Sequence, residues 1–337
     1  MNAAVLRNAR DIVIKDVPEP VVEPDGVIIK VKACGICGSD LHLYKTGAPA
    51  EWIPGHEFSG DIVDVGSRVT GVKTGDRVVA MCGRGCGECC WCRQGQWLRC
   101  SRMSLLGYGI PGAFAEYVSV PYFQLDTYAA RLPDSLSYEV GATAEPLSVA
   151  LYSVSRAQPN TGDTVVVIGL GIIGLCIIQV LKTLGITGII VSGRRSVRLK
   201  LAKTAGADTI INAASDNIVP VVQEKTSSKS ADIVFECAGT AETFEQSFRM
   251  VHNGGKVALV GLYEQPVTWN PATIVSHDID IIGCGLRFDL PGAIDLITSG
   301  QVDTEPYISH EFPLEGIREA FETQLTADDA VKVLVKP

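Results

Sequence analysis

From residue 147 onward the chain repeats one pattern, strand then glycine turn then helix, and that repetition limits its fold more than any other feature. TVVVIG reads as a strand and residues 172–184 as the helix after it. GIIVS and residues 196–205 form the next pair, and DTIIN, DIVFECAG, KVALVG and DIIGCG follow as further strands. Strands joined through helices run parallel, so this stretch predicts an α/β doubly wound parallel sheet. At its first turn stands Gly169-Leu170-Gly171-Ile172-Ile173-Gly174. A lone G-x-G-x-x-G says little, but between a strand and a helix it is a dinucleotide fingerprint. Gly169 permits the tight turn, Gly171 lets backbone N–H groups approach a pyrophosphate, and Gly174 lets the helix close on the sheet.

The end of the next strand bears on which dinucleotide is held. An NAD site places an acidic residue about 20 residues on, as acceptor for the ribose hydroxyls. This chain has Ser192, Gly193, Arg194 and Arg195 there, and no carboxylate. Gly193 leaves room for a phosphate, and an adjacent arginine offers a forked cationic donor. NADP is therefore preferred over NAD, with Arg198 a lesser contributor from the following helix.

Residues up to about 126 have a different texture, with short β runs such as DIVIKDV, GVIIKVKACG and FSGDIVDVG broken by Gly and Pro. They predict a β-rich, barrel-like domain that stages loops. One loop carries Cys86, Cys89, Cys92 and Cys100, spaced C-x2-C-x2-C-x7-C. Four thiolates at this spacing close a tetrahedral zinc cage with no open position, which organises a loop and does no chemistry. Cys82 and Cys90 fall outside the spacing and read as spare thiols.

With 337 residues the chain has room for two cores. Its net charge of -9 argues against a nucleic-acid partner. The longest apolar run, 165–178, contains three glycines and is too short for a membrane span. The N-terminus shows no signal-peptide pattern, and eleven cysteines in metal-like spacing fit a reducing, cytoplasmic setting. A zinc-lobe interaction protein without catalysis is the reading from another class, and the acidic charge and complete nucleotide fingerprint oppose it.

Upstream, Cys37 in ACGICGSDLH and His56-Glu57 in PGHEFSG bring a thiolate, an imidazole and a carboxylate from separate loops. A zinc shell left incomplete by the protein has room for water or substrate. With CGICGSDLH, GHE, the four-cysteine lobe, GLGIIG and EPLSVALYSV, the chain resembles a zinc-dependent medium-chain dehydrogenase along its whole length.

The resemblance implies a GroES-like catalytic domain over 1–147 with a structural zinc lobe at 82–100. A Rossmann domain over 148–286 follows, and residues 287–337 return to the catalytic domain. Two zinc ions per chain follow from it. Cys37 and His56 match the first catalytic ligands, and Glu57 the carboxylate that binds the metal or swings on and off it. Glu145 matches the glutamate of the polyol, butanediol and threonine branches, as ligand or as holder of a water on the metal. Asp40 matches the carboxylate that orients the histidine. Ser39 and His42 match a proton relay, with Ser39 nearest the substrate oxygen.

The implied substrate is a secondary alcohol or vicinal diol, oxidised to a ketone. Threonine or a simple alcohol is the alternative within the family. Tyr44 and Trp52 either narrow the substrate pocket or pack, and Arg287 resembles an arginine that polyol enzymes place near the glutamate. Family members of this kind pair into homodimers or homotetramers.

Overall fold

The computed structural model describes residues 1–47, 51–81, 83–285 and 287–337. Cys82, read as a spare thiol at the start of the lobe, lies outside the described residues, as does the expected boundary at residue 286.

Two compact units divide the chain. One comprises Met1–Ser148 and the segment 286–337, the other Val149–Gly285. In the first unit, a seven-stranded sheet runs in the order Ala129–Arg131, Arg77–Ala80, Glu57–Val65, Val27–Gly35, Lys332–Lys336, Ile308–Pro313, with Tyr117–Val120 also paired to Val27–Gly35. Alternation drives the burial: Val27, Ile29 and Val31 point into a core shared with Phe58, Phe114 and Phe321. The C-terminal strand Lys332–Lys336 enters this sheet beside Val27–Gly35, with Leu334 opposite Gly35. That pairing delivers one late residue, Lys332, to the loops that carry Cys37 and His56.

The second unit holds six parallel strands. Their order is Thr209–Asn212, Ile189–Gly193, Val165–Ile168, Ala231–Glu236, Val251–Leu259, Asp280–Gly283. Val165, Val166 and Val167 are fully buried, as a strand covered on both faces requires. The order reverses between Val165–Ile168 and Ala231–Glu236, and a crevice at such a switch point receives the ligand in open α/β sheets. Helices occupy Ile172–Thr183 and Ser196–Thr204, each close to the expected span.

Among the described residues, no helix is long and apolar enough to cross a membrane.

Candidate active site and nucleotide site

Cys37 caps the helix Gly38–Thr46, and the third helical residue is Asp40. A carboxylate there accepts from the N-terminal backbone donors that a helix leaves open. One oxygen of Asp40 accepts from the Cys37 N–H at 2.9 Å, and the other from the Gly55 N–H at 3.2 Å. A single buried carboxylate thus fastens together the two loops bearing Cys37 and His56. Gly55 is obligatory at φ +99°, where a Cβ would meet Phe114 at 2.9 Å and the Cys34 sulfur at 3.0 Å.

The result is a group of three ligand atoms, from Cys37, His56 and Glu57, all within 4.8 Å of one another. His56 and Glu57 are buried, at 6% and 1% exposure. The Nδ1 of His56 is buried without a hydrogen-bond partner, and Asp40 Oδ1 lies 3.8 Å away. Asp40 therefore places the histidine mainly through the backbone, and not through the direct imidazole bond expected from the sequence. Burial disfavours charge on His56, but the Cys37 and Asp40 charges and the Cys37 hydrogen bond outweigh it and hold its pKa well above the usual range. Thiolate, imidazole and carboxylate donors in one close cluster fit a zinc ion.

Glu145, near the start of the helix Ala144–Ala157, is 6% exposed and stands outside that tight trio. Burial pushes its pKa up to about 7, with the His56 charge pulling down and the Glu57 charge pushing up. Its charge is therefore felt by the cluster. Sequence reasoning missed Lys332, which is 2% exposed. Its ammonium donates to the Ile36 carbonyl at 2.9 Å and to Glu57. In VKVLVK it reads as an ordinary strand lysine, and only the long-range pairing places it.

Ser39 is 9% exposed, and its hydroxyl tempers the rise in the pKa of Tyr108, a second residue that the sequence did not single out. Tyr108 stands with its ring centroid 6.3 Å from that of His56, and burial raises its pKa to about 12. Trp52 supports this arrangement, its indole donating to the Gly107 carbonyl at 2.7 Å. Tyr44, by contrast, is core: it is 1% exposed, packs on Phe321 and bonds Glu322 at 2.8 Å. His42 is half-buried on the same helix as Ser39. Arg287 is exposed.

Cys86, Cys89, Cys92 and Cys100 also form a group with ligand atoms within 4.8 Å. Backbone N–H groups point at the sulfurs: Cys86 to Cys100 and Cys89 to Cys86 at 3.4 Å, Cys92 to Cys89 at 3.5 Å, Arg102 to Cys100 at 3.3 Å. Such donors favour thiolates, and those of Glu88 and Cys89 bring the Cys86 pKa down to about 6. A Cβ on Gly85 would meet the Cys92 sulfur at 2.3 Å, so the loop closes only around glycine. Four thiolates so arranged fit a structural zinc. Cys90, the spare thiol, is exposed.

In the second unit, Gly169 has φ +93°, and a Cβ there would meet the Ala238 N at 2.8 Å. A Cβ on Gly174 would meet the Gly169 carbonyl at 2.1 Å, while one on Gly171 would meet nothing within 4 Å. Two glycines close the turn, and the third leaves open space at the N-terminus of the helix. A cavity of about 630 Å³ opens there, lined by Gly169, Leu170, Gly171, Ser192, Gly193, Arg194, Arg195 and Arg198. Ile172 is buried at the helix start, and Ile173 follows it.

Gly193 lines this cavity, and a Cβ there would meet Leu170 at 2.8 Å, so glycine lets the strand end and the turn approach each other. Arg194 is exposed and pairs with Glu242 at 3.2 Å. Burial beside Arg195 lowers the Arg198 pKa to about 10.

Residues 23–133 match the alcohol dehydrogenase GroES-like domain, and residues 173–299 match the zinc-binding dehydrogenase domain. Sorbitol dehydrogenase of Bacillus subtilis (strain 168) is 35% identical over 348 residues, covering 100% of this chain and 97% of its own length. The crystal structure of 2R,3R-butanediol dehydrogenase from Bacillus subtilis superposes with a TM-score of 0.88 at 34% identity, covering 100% of this chain and 99% of its own. A zinc-binding dehydrogenase of Sinorhizobium meliloti 1021 bound to NADP gives 0.90 at 32% identity, with coverages of 100% and 99%. The chain belongs to the zinc-dependent medium-chain dehydrogenase/reductase family, in its polyol, butanediol and threonine dehydrogenase branch. It is an NAD(P)-dependent oxidoreductase of the alcohol and polyol type.

Proposed function

We propose that this chain catalyses reversible hydride transfer between a secondary alcohol or vicinal diol and NADP, giving a ketone. The observation that carries the reading is the trio of Cys37, His56 and Glu57, the first half-buried and the other two buried, with Glu145 felt electrostatically by it. Zinc there would supply a Lewis acid for the alcohol oxygen, and the nicotinamide would accept the hydride.

Cys37 and His56 would hold that zinc. Glu57 is already engaged by Lys332, so Glu145 is the better candidate to complete the shell or to hold its water. Ser39 takes the hydroxyl proton and His42 passes it outward. The Cys86, Cys89, Cys92 and Cys100 lobe would hold a second zinc. The domain assignment is 1–147 and 287–337 for catalysis and 148–286 for the nucleotide, in keeping with the two compact units.

NADP preference rests on the missing carboxylate after Ile189–Gly193 and on Arg195 and Arg198 at the cavity. Arg194 stands at the same cavity and would have to exchange its Glu242 partner for the phosphate. The diol substrate class rests on Glu145 and on relatives named for sorbitol and butanediol. A homodimer, alone or paired into a tetramer, is supported by the sheet-edge strand Asp280–Gly283, where Ile281 is 40% exposed. Cysteines grouped as metal ligands, at Cys37 and in the four-cysteine lobe, suit the reducing cytoplasm.

The test is a panel of vicinal diols, sugar alcohols, threonine and simple primary and secondary alcohols, assayed with both nucleotides. Turnover strongest on vicinal diols with NADP supports the reading. Turnover of primary alcohols alone contradicts it.

A further inference from the structure

At the C-terminal end of the strand Ala231–Glu236 stands a carboxylate that nothing above uses. Glu236 is 0% exposed, where a charge is costly unless it is fully hydrogen-bonded. One oxygen accepts from the Ala238 N–H at 2.9 Å, the Gly239 N–H at 2.9 Å and the Thr243 hydroxyl at 2.8 Å. The other accepts from the Tyr263 hydroxyl at 2.6 Å and the Gly239 N–H at 3.1 Å. The backbone carbonyl of Glu236 takes the Val260 and Gly261 N–H groups at 2.8 and 2.9 Å. One residue therefore fastens loop 237–240, loop 260–263 and the helix Ala241–Met250 to a single point.

The fastening is tight. A Cβ on Gly239 would meet the Leu262 carbonyl at 2.3 Å, and one on Gly261 would meet the Gly239 N at 2.4 Å, so the loops touch backbone to backbone. Loop 237–240 in turn lies against the nucleotide turn, where only the missing Cβ of Gly169 keeps Ala238 at that distance. Cys237, Ala238, Thr240 and Thr243 line the same cavity as Gly169 and Gly171. Apolar packing could fill the space under the loop, but it could not fix the direction of two backbone N–H groups. A carboxylate held by four donors does.

We propose that Glu236 is a positioning residue of the dinucleotide site, holding the wall of loop 237–240 against the glycine turn without touching the ligand. The inference rests on the dinucleotide reading of that cavity. Because Glu236 is spent on protein donors, its loss weakens NADPH and NADH by the same factor.

The experiment titrates NADPH and NADH into Glu236→Ala, Glu236→Gln and Tyr263→Phe by nicotinamide fluorescence. Melting of each ligand-free protein and zinc per chain are measured alongside. Glu236→Ala is expected to weaken both nucleotides by roughly tenfold or more. Glu236→Gln keeps one acceptor oxygen and turns a donor toward the Tyr263 oxygen, so it recovers part of that loss. Tyr263→Phe removes one bond and costs roughly threefold to tenfold, with zinc content unchanged. Should Glu236→Ala not fold, the other two variants decide.

Affinities within twofold of wild type in the folded variants overturn the proposal. So does a loss explained by the unfolded fraction, or one that differs between NADPH and NADH. Wild-type protein that binds neither nucleotide overturns the underlying reading as well. Wild-type binding with unaffected variants overturns this proposal alone.

Discussion

Lys332 brings a cation into a nearly dry position because two acceptors, the Ile36 carbonyl and Glu57, are waiting for it. Burial opposes its charge, but Glu57, Cys37 and Glu145 outweigh that and raise its pKa. Lys332→Met would leave the Glu57 carboxylate buried and unpaired, a loss of about 3–5 kcal/mol. Calorimetry should show a melting point lower by several degrees, largely restored in the double variant with Glu57→Gln. An unchanged melting point for the single variant would contradict the pairing.

Ser39 makes a different prediction, because it acts on a proton and not on the fold. Ser39→Ala should cut turnover by about a hundredfold while zinc per chain and nucleotide affinity stay as they are. Unchanged turnover removes it from the relay.

Legibility at this scale followed locality. Cys37, His56, Glu57 and the four lobe cysteines lie in short motifs, so their grouping could be read from the chain. Lys332 and Tyr108 reach the same cluster through strand pairing and a turn braced by Trp52, which no local pattern announces.

Among the elements, the parallel strands and their helices were plain because each strand is a short apolar run ended by a turn. Their side-to-side order was not, since it depends on where the chain reverses its winding. At the N-terminal end of this sheet, His252 at the start of Val251–Leu259 reaches Asp232 in the neighbouring strand at 3.0 Å. Burial lowers its pKa, but the Asn253 carbonyl and Asp232 outweigh it, and the net shift is upward from 6.5.

A raised folded-state pKa stabilises fully below the unfolded value, and that stability is lost as pH rises through the folded one. The link should therefore weaken above roughly pH 6.5. The ring is 35% exposed, so solvent screening keeps the effect small. Urea midpoints at pH 6 and pH 8 should fall more for wild type than for His252→Gln. Equal falls would remove the link.

For the whole molecule, the sequence separates a β-rich first part from an alternating middle, and the two compact units divide at Ser148 and Gly285. Composition alone could not have shown that the last strand, Lys332–Lys336, completes the sheet begun by Val27–Gly35. That return gives the first unit its buried lysine, so residues from both ends of the chain build one cluster.

The central claim is that the cluster of Cys37 and His56 holds the zinc that activates an alcohol, apart from the zinc of the cysteine lobe. Metal counting on wild type and Cys37→Ser, with diol-dependent NADP reduction and NADPH binding measured on the same samples, tests it most directly. The account predicts two zinc ions per wild-type chain, one in the variant, no diol oxidation by the variant, and NADPH binding intact in both. A variant that keeps both metal ions, or that oxidises diols at the wild-type rate, would contradict it.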